Sequence, residues 1–356
     1  MQSQPSRLRR KRNVSEVKPK KRFGVKRWII LALFAVGIYA AFIGPSILKP
    51  VSPVVVLPAE PTGLHIGGFQ ITNTILATLI ADVILILIAI GVYRFAKSGK
   101  LVPQGFYNAF ETIFEFLWNS VEGTAGKWAK RIFPIPATIF LLIFIANMVK
   151  LVPGFESVGL IEQVKEGKGY APVKLLQVGK LEVFTIDKGQ PVEVTAAQGE
   201  SHIGEGEAVC TVCEIIPFLR GSATDLNFPF ALAITTVILT QVYGAWALGP
   251  GYFSKFFQVK QLISGGIFGM INFAVGILEV ILEFAKVLSF GFRLFGNIFA
   301  GALLLSIIGA LTAVAIPPLL YIFEVFFGTI QAYVFFLLAT VFISGATAGH
   351  HGEEQH

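Results

Sequence analysis

Apolar and polar positions alternate along this chain in long blocks. Residues 28–44, 71–93, 134–152, 228–249, 262–315 and 318–345 are apolar runs, the last two joined at Pro317–Pro318. About 20 apolar residues suffice for a helix to cross a bilayer, and in lipid the backbone must satisfy its own hydrogen bonds. The pattern predicts an all-α, polytopic membrane helix bundle of five to six spans, whose two long C-terminal helices form a hairpin. Residues 45–70 are Pro-rich and are expected outside the membrane. Residues 104–131 follow another rule: Phe106, Phe110, Ile113, Phe114, Leu117 and Trp118 recur at helical spacing, with Glu111, Glu115 and Glu122 between them. That predicts an amphipathic helix at the interface. The one long polar block is 154–227, where Val173–Ile186 and Val192–Thr195 show β-branched, period-two character and predict a small β element.

Composition agrees with a membrane protein. The 356 residues are 54% hydrophobic and 14% charged, against about 25% charged in soluble domains. A disordered chain is excluded, and a soluble enzyme fits poorly. The net charge of +7 hides an asymmetry: eleven of the 29 Lys and Arg lie between Arg7 and Arg27 against the single acid Glu16, so that tail holds +10 and the remainder −3. Block 154–227 holds 11 of the 22 acids against six bases.

Because the basic tail runs directly into an apolar segment, it reads as a cytoplasmic flank and not as a nucleic-acid arm. Arg94, Lys97 and Lys100, then Lys127, Lys130 and Arg131, then Lys255 and Lys260 fall on that same side. The expected organisation is a basic cytoplasmic tail (1–27), an anchor or signal segment (28–49), a membrane domain (71–345) with an acidic extracytoplasmic insertion (154–227), and a cytoplasmic tail (346–356). No small-x-small site follows the first apolar run, which favours a retained anchor.

The 262–315 run carries Asn272, Glu279, Glu283, Lys286, Arg293 and Asn297. At about 100° per residue all six fall in a stripe roughly 80° wide and nearly 40 Å long. Intramembrane ionisable groups are costly and commonly face a partner or water. In the last run, Gln331 lies about 20° from Glu324 around the axis, with Gly328 between them. Arginine stays protonated even when desolvated, whereas a carboxylate in apolar surroundings can take up and release protons. A fixed cation among water-lined carboxylates describes a proton path containing an electrostatic barrier. The bland alternative is a structural ion pair between Arg293 and Glu279, Glu283 or Glu324.

SFGFRLFGNIFAG (289–301) resembles the a subunits of F-type ATP synthases, and its RLFGN core is specific. Further likeness lies in ITNTILAT (71–78), RIFPIPATIFLLIFIANMVKLVPG (131–154), ATDLNFPFALA (223–233), LEVILEFAKVLSFGFRLFGN (278–297) and EVFFGTIQAYVFFLL (324–338). Together these cover roughly residues 60–345. The resemblance implies a proton-translocating stator subunit with two aqueous half-channels beside a rotating c-subunit ring, coupling proton flow to ATP synthesis. It implies a subunit that is non-catalytic by itself, without a cofactor, in the inner membrane of a bacterium. Its partners would be the c ring, the peripheral stalk b subunits, the remaining subunits and the lipid membrane.

By resemblance Arg293 faces the ring and separates the half-channels. Asn297 and Gln331 are its polar neighbours, and Glu324 is a channel group. Glu279 occupies an acid position of the same helix, Glu283 is a candidate helper, and Asp225 and Asn227 match a polar segment leading into a span. Where many members carry Glu or His nine residues after the arginine, this chain has Ala302. A stand-alone secondary transporter is the alternative, but it would often show paired repeats, and no second copy of the stripe exists. A membrane-anchored binding protein built around 154–227 leaves the charged helix unexplained.

Weaker signals add little. Cys210 and Cys213 form one CxxC for which His202 is the sole nearby histidine, so a disulfide or free thiols fit better than zinc. His350, His351 and His356 support metal no better. GGIFG (265–269) lacks the Lys-Ser/Thr of a phosphate loop and reads as helix packing. Asp82 sits alone in its span.

Overall fold

The computed structural model describes residues 25–39, 59–98, 105–152, 154–164, 167–178, 181–187, 192–194, 210, 212–256, 266–312 and 316–348. Most of the basic tail, residues 40–58, His202, Lys260 and the terminal histidines lie outside the described residues.

In chain order the elements are α1 (Val25–Ile38), β1 (Pro61–Ile66), β2 (Phe69–Thr72), α2 (Asn73–Lys97), α3 (Phe106–Ala125), α4 (Ala129–Ile132) and α5 (Pro134–Val149). The polar insertion follows with β3 (Gly159–Gln163), β4 (Gly167–Gly169), β5 (Pro172–Val178), β6 (Leu181–Ile186), β7 (Val192–Val194) and β8 (Cys213–Pro217). Then come α6 (Asn227–Leu248), α7 (Gly266–Thr312) and α8 (Pro317–Thr347). Proline opens α5 and α8, a position where its missing N–H would have no helical partner anyway.

By length and composition, three helices among the described residues can cross a membrane: α2, Asn227–Phe253 and α8. A bent pair, Phe106–Ile132 and Pro134–Val149 at 96°, supplies a fourth if it counts as one span. The sequence pattern predicts more spans than this, for two physical reasons. The first apolar run forms a helix of only 14 described residues, about 21 Å long against a hydrocarbon core of about 30 Å. The 262–315 run becomes one 47-residue helix, about 70 Å long. Such a rod stays within the slab only if it lies steeply tilted.

Helix α8 is the centre of the bundle, packed by α5, α6, α7 and α3, while α2 packs on α5. The core joins Phe335, Phe336 and Ile343 of α8 to Phe140 and Ile143 of α5, to Phe290, Leu294 and Ile298 of α7, and to Leu117 and Val121 of α3. Phe290 packs against Phe335 with tilted rings whose centroids lie 4.7 Å apart. Lipid tails are as apolar as these side chains, so the bundle is held by dispersion, close packing and interhelical hydrogen bonds. The apolar stripe of α3 therefore does more than lie at an interface, because Leu117 and Val121 are fully buried.

The strands form antiparallel pairs β1–β2, β3–β8, β4–β7 and β5–β6. Gly67 and Gly68, both at positive φ, make the two-residue turn of the first hairpin, a conformation that costs glycine least. Pairing of Gly159 through Gln163 with Pro217 through Cys213 ties the two ends of the insertion together. Cys210 and Cys213 are disulfide-bonded.

Candidate functional site

On α7 the core-facing positions Phe290, Leu294 and Ile298 recur every four residues. Arg293 lies about 100° from Leu294 around the axis, so its guanidinium leaves the core on an exposed flank. Arg293 Nη2 donates to Ser289 Oγ at 3.4 Å. Among the described residues no carboxylate pairs with it. Two of the three carboxylates that could have done so are engaged elsewhere: Glu283 accepts from Lys286 Nζ at 2.8 Å, and Glu324 pairs with Lys150, while Glu279 lines the same cleft as Arg293. The bland reading of Arg293 as half of a structural ion pair is thus not what the structure shows.

Asn297, one turn on, donates its amide to Gln331 Oε1 of α8 at 2.5 Å. Gln331 is buried, and its Nε2 has no partner among the described residues. Glu279, Lys286, Ser289 and Arg293 of α7 share a cleft of about 310 Å³ with Leu338 and Phe342 of α8. Lys286 Nζ also sits 5.0 Å from the Phe342 ring centroid.

A second polar zone lies further along α7, beside Gly301. Glu324 of α8 is buried there against the end of α5 and bonds Lys150, the residue that closes α5. Asn147, one turn before Lys150, donates to the carbonyl of Gly328 at 3.1 Å. A Cβ on Gly328 would stand 3.1 Å from Asn147 Cβ. Glycine at that position is therefore what lets α5 and α8 approach.

Asp225 is buried below α6. Its carboxylate accepts the Thr74 hydroxyl of α2 at 2.6 Å and the backbone N–H of Asn227. The acid thus satisfies an orphan donor at a helix start, where negative charge is favoured. The Asn227 side chain is exposed. Nearby, Asn73 donates to Glu60 Oε2 at 3.2 Å and to the Pro217 carbonyl at 3.4 Å. Burial pushes the Glu60 carboxyl above its ordinary value, partly offset by the Arg220 charge and the Asn73 bond.

The structure therefore joins Asn297 to Gln331 one turn beyond Arg293, and Arg293 shares its cleft with Glu279. Glu283 is held by Lys286, Glu324 belongs to a separate zone, and Asp225 and Asn227 start α6. Sequence reasoning missed Lys150, Asn147, Thr74 and Glu60. Lys150 could have been flagged as the sole charge in the 134–152 run, three residues after Asn147. That spacing places both side chains on one helix face.

Ionisable and amide side chains gathered among the apolar helices α5, α7 and α8 define a helical membrane protein of ion transport. The family model described as ATP synthase A chain matches residues 75–344. Similar curated proteins include an ATP synthase subunit a of Moorella thermoacetica, 25% identical over 80% of this chain and 95% of the relative. Another, from Propionigenium modestum, is named ATP synthase subunit a, sodium ion specific; it is 28% identical over 78% of this chain and 75% of its own. A third, from Pseudoalteromonas translucida, is an ATP synthase subunit a, 28% identical over 74% of this chain and 81% of its own. The chain belongs to the ATP synthase A chain family, a membrane-sector component of the ATP synthase complex.

Proposed function

We propose that this chain is the proton-translocating stator subunit of its ATP synthase, with Arg293 facing a ring of c subunits between two half-channels. The observation that carries this reading is a guanidinium on an exposed flank of α7 that no carboxylate among the described residues pairs with. A permanent cation at membrane depth needs a counter-charge or water. A carboxylate on a partner that passes by supplies one transiently.

Two polar zones flank Arg293 along α7. Glu279 lies about 21 Å before it and Gly301, against Glu324, about 12 Å after it. Each zone is suited to a water-filled half-channel, and Arg293 between them bars a direct ion leak. The exposed apolar side chains Phe292, Phe326 and Ile330 on α7 and α8 suit a surface that meets lipid or another apolar helix. Asn297 and Gln331 position polar atoms next to the guanidinium, and Gln331 Nε2 remains able to donate. On this reading Asp225 and Asn227, at the start of α6, belong to the polar entry of the half-channel that holds Glu324.

The remaining assignments follow from this reading. The c ring and the peripheral stalk b subunits are its partners, the bacterial cytoplasmic membrane its location, and the ATP chemistry belongs to other subunits. Both termini lie in the cytoplasm and the 154–227 insertion outside.

The test is Arg293→Ala in the assembled complex. ATP-driven proton pumping should be lost while c subunits still co-purify with the chain. Pumping at the wild-type rate would contradict the reading.

A further inference from the structure

Three ion pairs among the described residues differ sharply in burial. Lys174–Glu182 is exposed, and Lys286–Glu283 has side chains 27% and 12% exposed. In Lys150–Glu324 the side chains are 5% and 9% exposed. Taking both charges out of water is costly, and apolar replacements are often no less stable. The stability of the α5–α8 contact, which Asn147 and Gly328 already secure, does not explain this pair.

We infer that Lys150 is an ion-selectivity residue: its tethered ammonium occupies the cation place on Glu324, so that protons pass this carboxylate and alkali-metal ions do not. The inference rests on the stator reading above and deepens it by naming how the ion is chosen along the path in this chain.

The geometry around Glu324 carries the argument. Lys150 Nζ bonds Glu324 Oε1. From α7, a Cβ on Gly301 would lie 3.4 Å from that same oxygen, so the helix backbone closes this side. The neighbouring Asn147 amide is spent on the Gly328 carbonyl. Tyr321, one turn earlier on α8, is close enough to feel both Glu324 and Glu156 electrostatically. Glu156 Oε1 in turn accepts the Gly221 N–H at 3.0 Å. No group of three or more His, Cys, Asp or Glu suited to a metal exists among the described residues.

A sodium ion needs several oxygens around it and would have to displace the ammonium to reach Oε1. Like charges at contact distance repel strongly in so poorly solvated a place. A proton needs no coordination shell. A hydronium ion at the open side gives its proton to Oε2: one O–H bond breaks, one forms on the carboxylate, and water remains. Lys150 keeps its charge throughout and, left without a counter-charge, favours onward release of that proton.

The experiment uses the whole ATP synthase reconstituted into liposomes, with NaCl exchanged for choline chloride at constant ionic strength. The wild type should acidify the lumen on ATP addition, take up no ²²Na⁺, and run equally fast in either salt. Lys150→Gln should pump protons but be slowed by NaCl, with the half-inhibiting concentration lowered at least roughly tenfold by loss of the repelling charge. Lys150→Arg should restore insensitivity.

Should Lys150→Gln fail to assemble, Lys150→His carries the same test, since its side chain is cationic at pH 6 and neutral at pH 8. Sodium should then inhibit only at the higher pH. Uptake of ²²Na⁺ by the wild type, or the same sodium response with and without the cation, would overturn the inference. Neither result touches the stator reading, which stands or falls with Arg293→Ala.

Discussion

Arg293 and Lys150 are both cations among apolar helices, and the chain treats them in opposite ways. Lys150 is given a carboxylate and is buried with it, whereas Arg293 is held on a flank with a weak hydrogen bond to Ser289. The difference suits their proposed tasks, one to hold a place permanently and the other to meet a moving group. Gly328 tests the packing that sets the first of these. Gly328→Val would push a side chain into Asn147, where a Cβ alone already lies 3.1 Å away. Overpacking typically costs about 1–3 kcal/mol. The detergent-solubilised complex should lose several degrees of thermal stability, measured by loss of the chain from the assembly on heating. An unchanged melting point would mean that α5 and α8 are not in the close contact described.

At the scale of elements, the connections outside the bundle carry their own titratable group. Glu60, immediately before β1, is tied to Asn73 at the start of α2. Its carboxyl is raised above about 4.5 by burial, so the folded form binds the proton more tightly than the unfolded one. Its contribution to stability is greatest below that ordinary value and declines as pH rises through the raised one. Glu60→Gln should flatten this decline. Thermal inactivation of the variant between pH 4 and pH 7 should depend less on pH than that of the wild type, and an equal dependence would exclude Glu60 as its source.

How much of this could be read from the sequence depends on how far apart the partners lie. The polar stripe on α7 was legible because helical periodicity alone places Glu279, Arg293 and Asn297 on one side. The RLFGN core and the flanking segments then pointed to the family. The first hairpin was within reach too, since Gly67–Gly68 between short runs is a turn signal, yet the Pro-rich surroundings hid it. Lys150 and Glu324 are 174 positions apart, and no local pattern joins them. The same holds for Thr74 and Asp225, 151 positions apart. Run length also misled where one apolar stretch became a rod about 70 Å long, because hydropathy reports burial in lipid but not the angle at which a helix lies.

For the whole molecule the picture is a bundle centred on α8, crossed by a long α7 that shows one flank to its surroundings. Arg293, Ser289 and Ala300 lie on that flank and are exposed, with Ser289 and Ala300 within about 40° of Arg293 around the axis. If the flank faces a rotor, then side chains beside Arg293 must come within bonding distance of a ring helix. The direct measurement is oxidative cross-linking in native membranes, with Ala300→Cys paired against cysteines placed in turn along the c subunit. Disulfide-linked products between this chain and c subunits are expected, clustered at ring positions level with the ring carboxylate. Cross-linking confined to other parts of the chain, with none to the ring at any position, would contradict it.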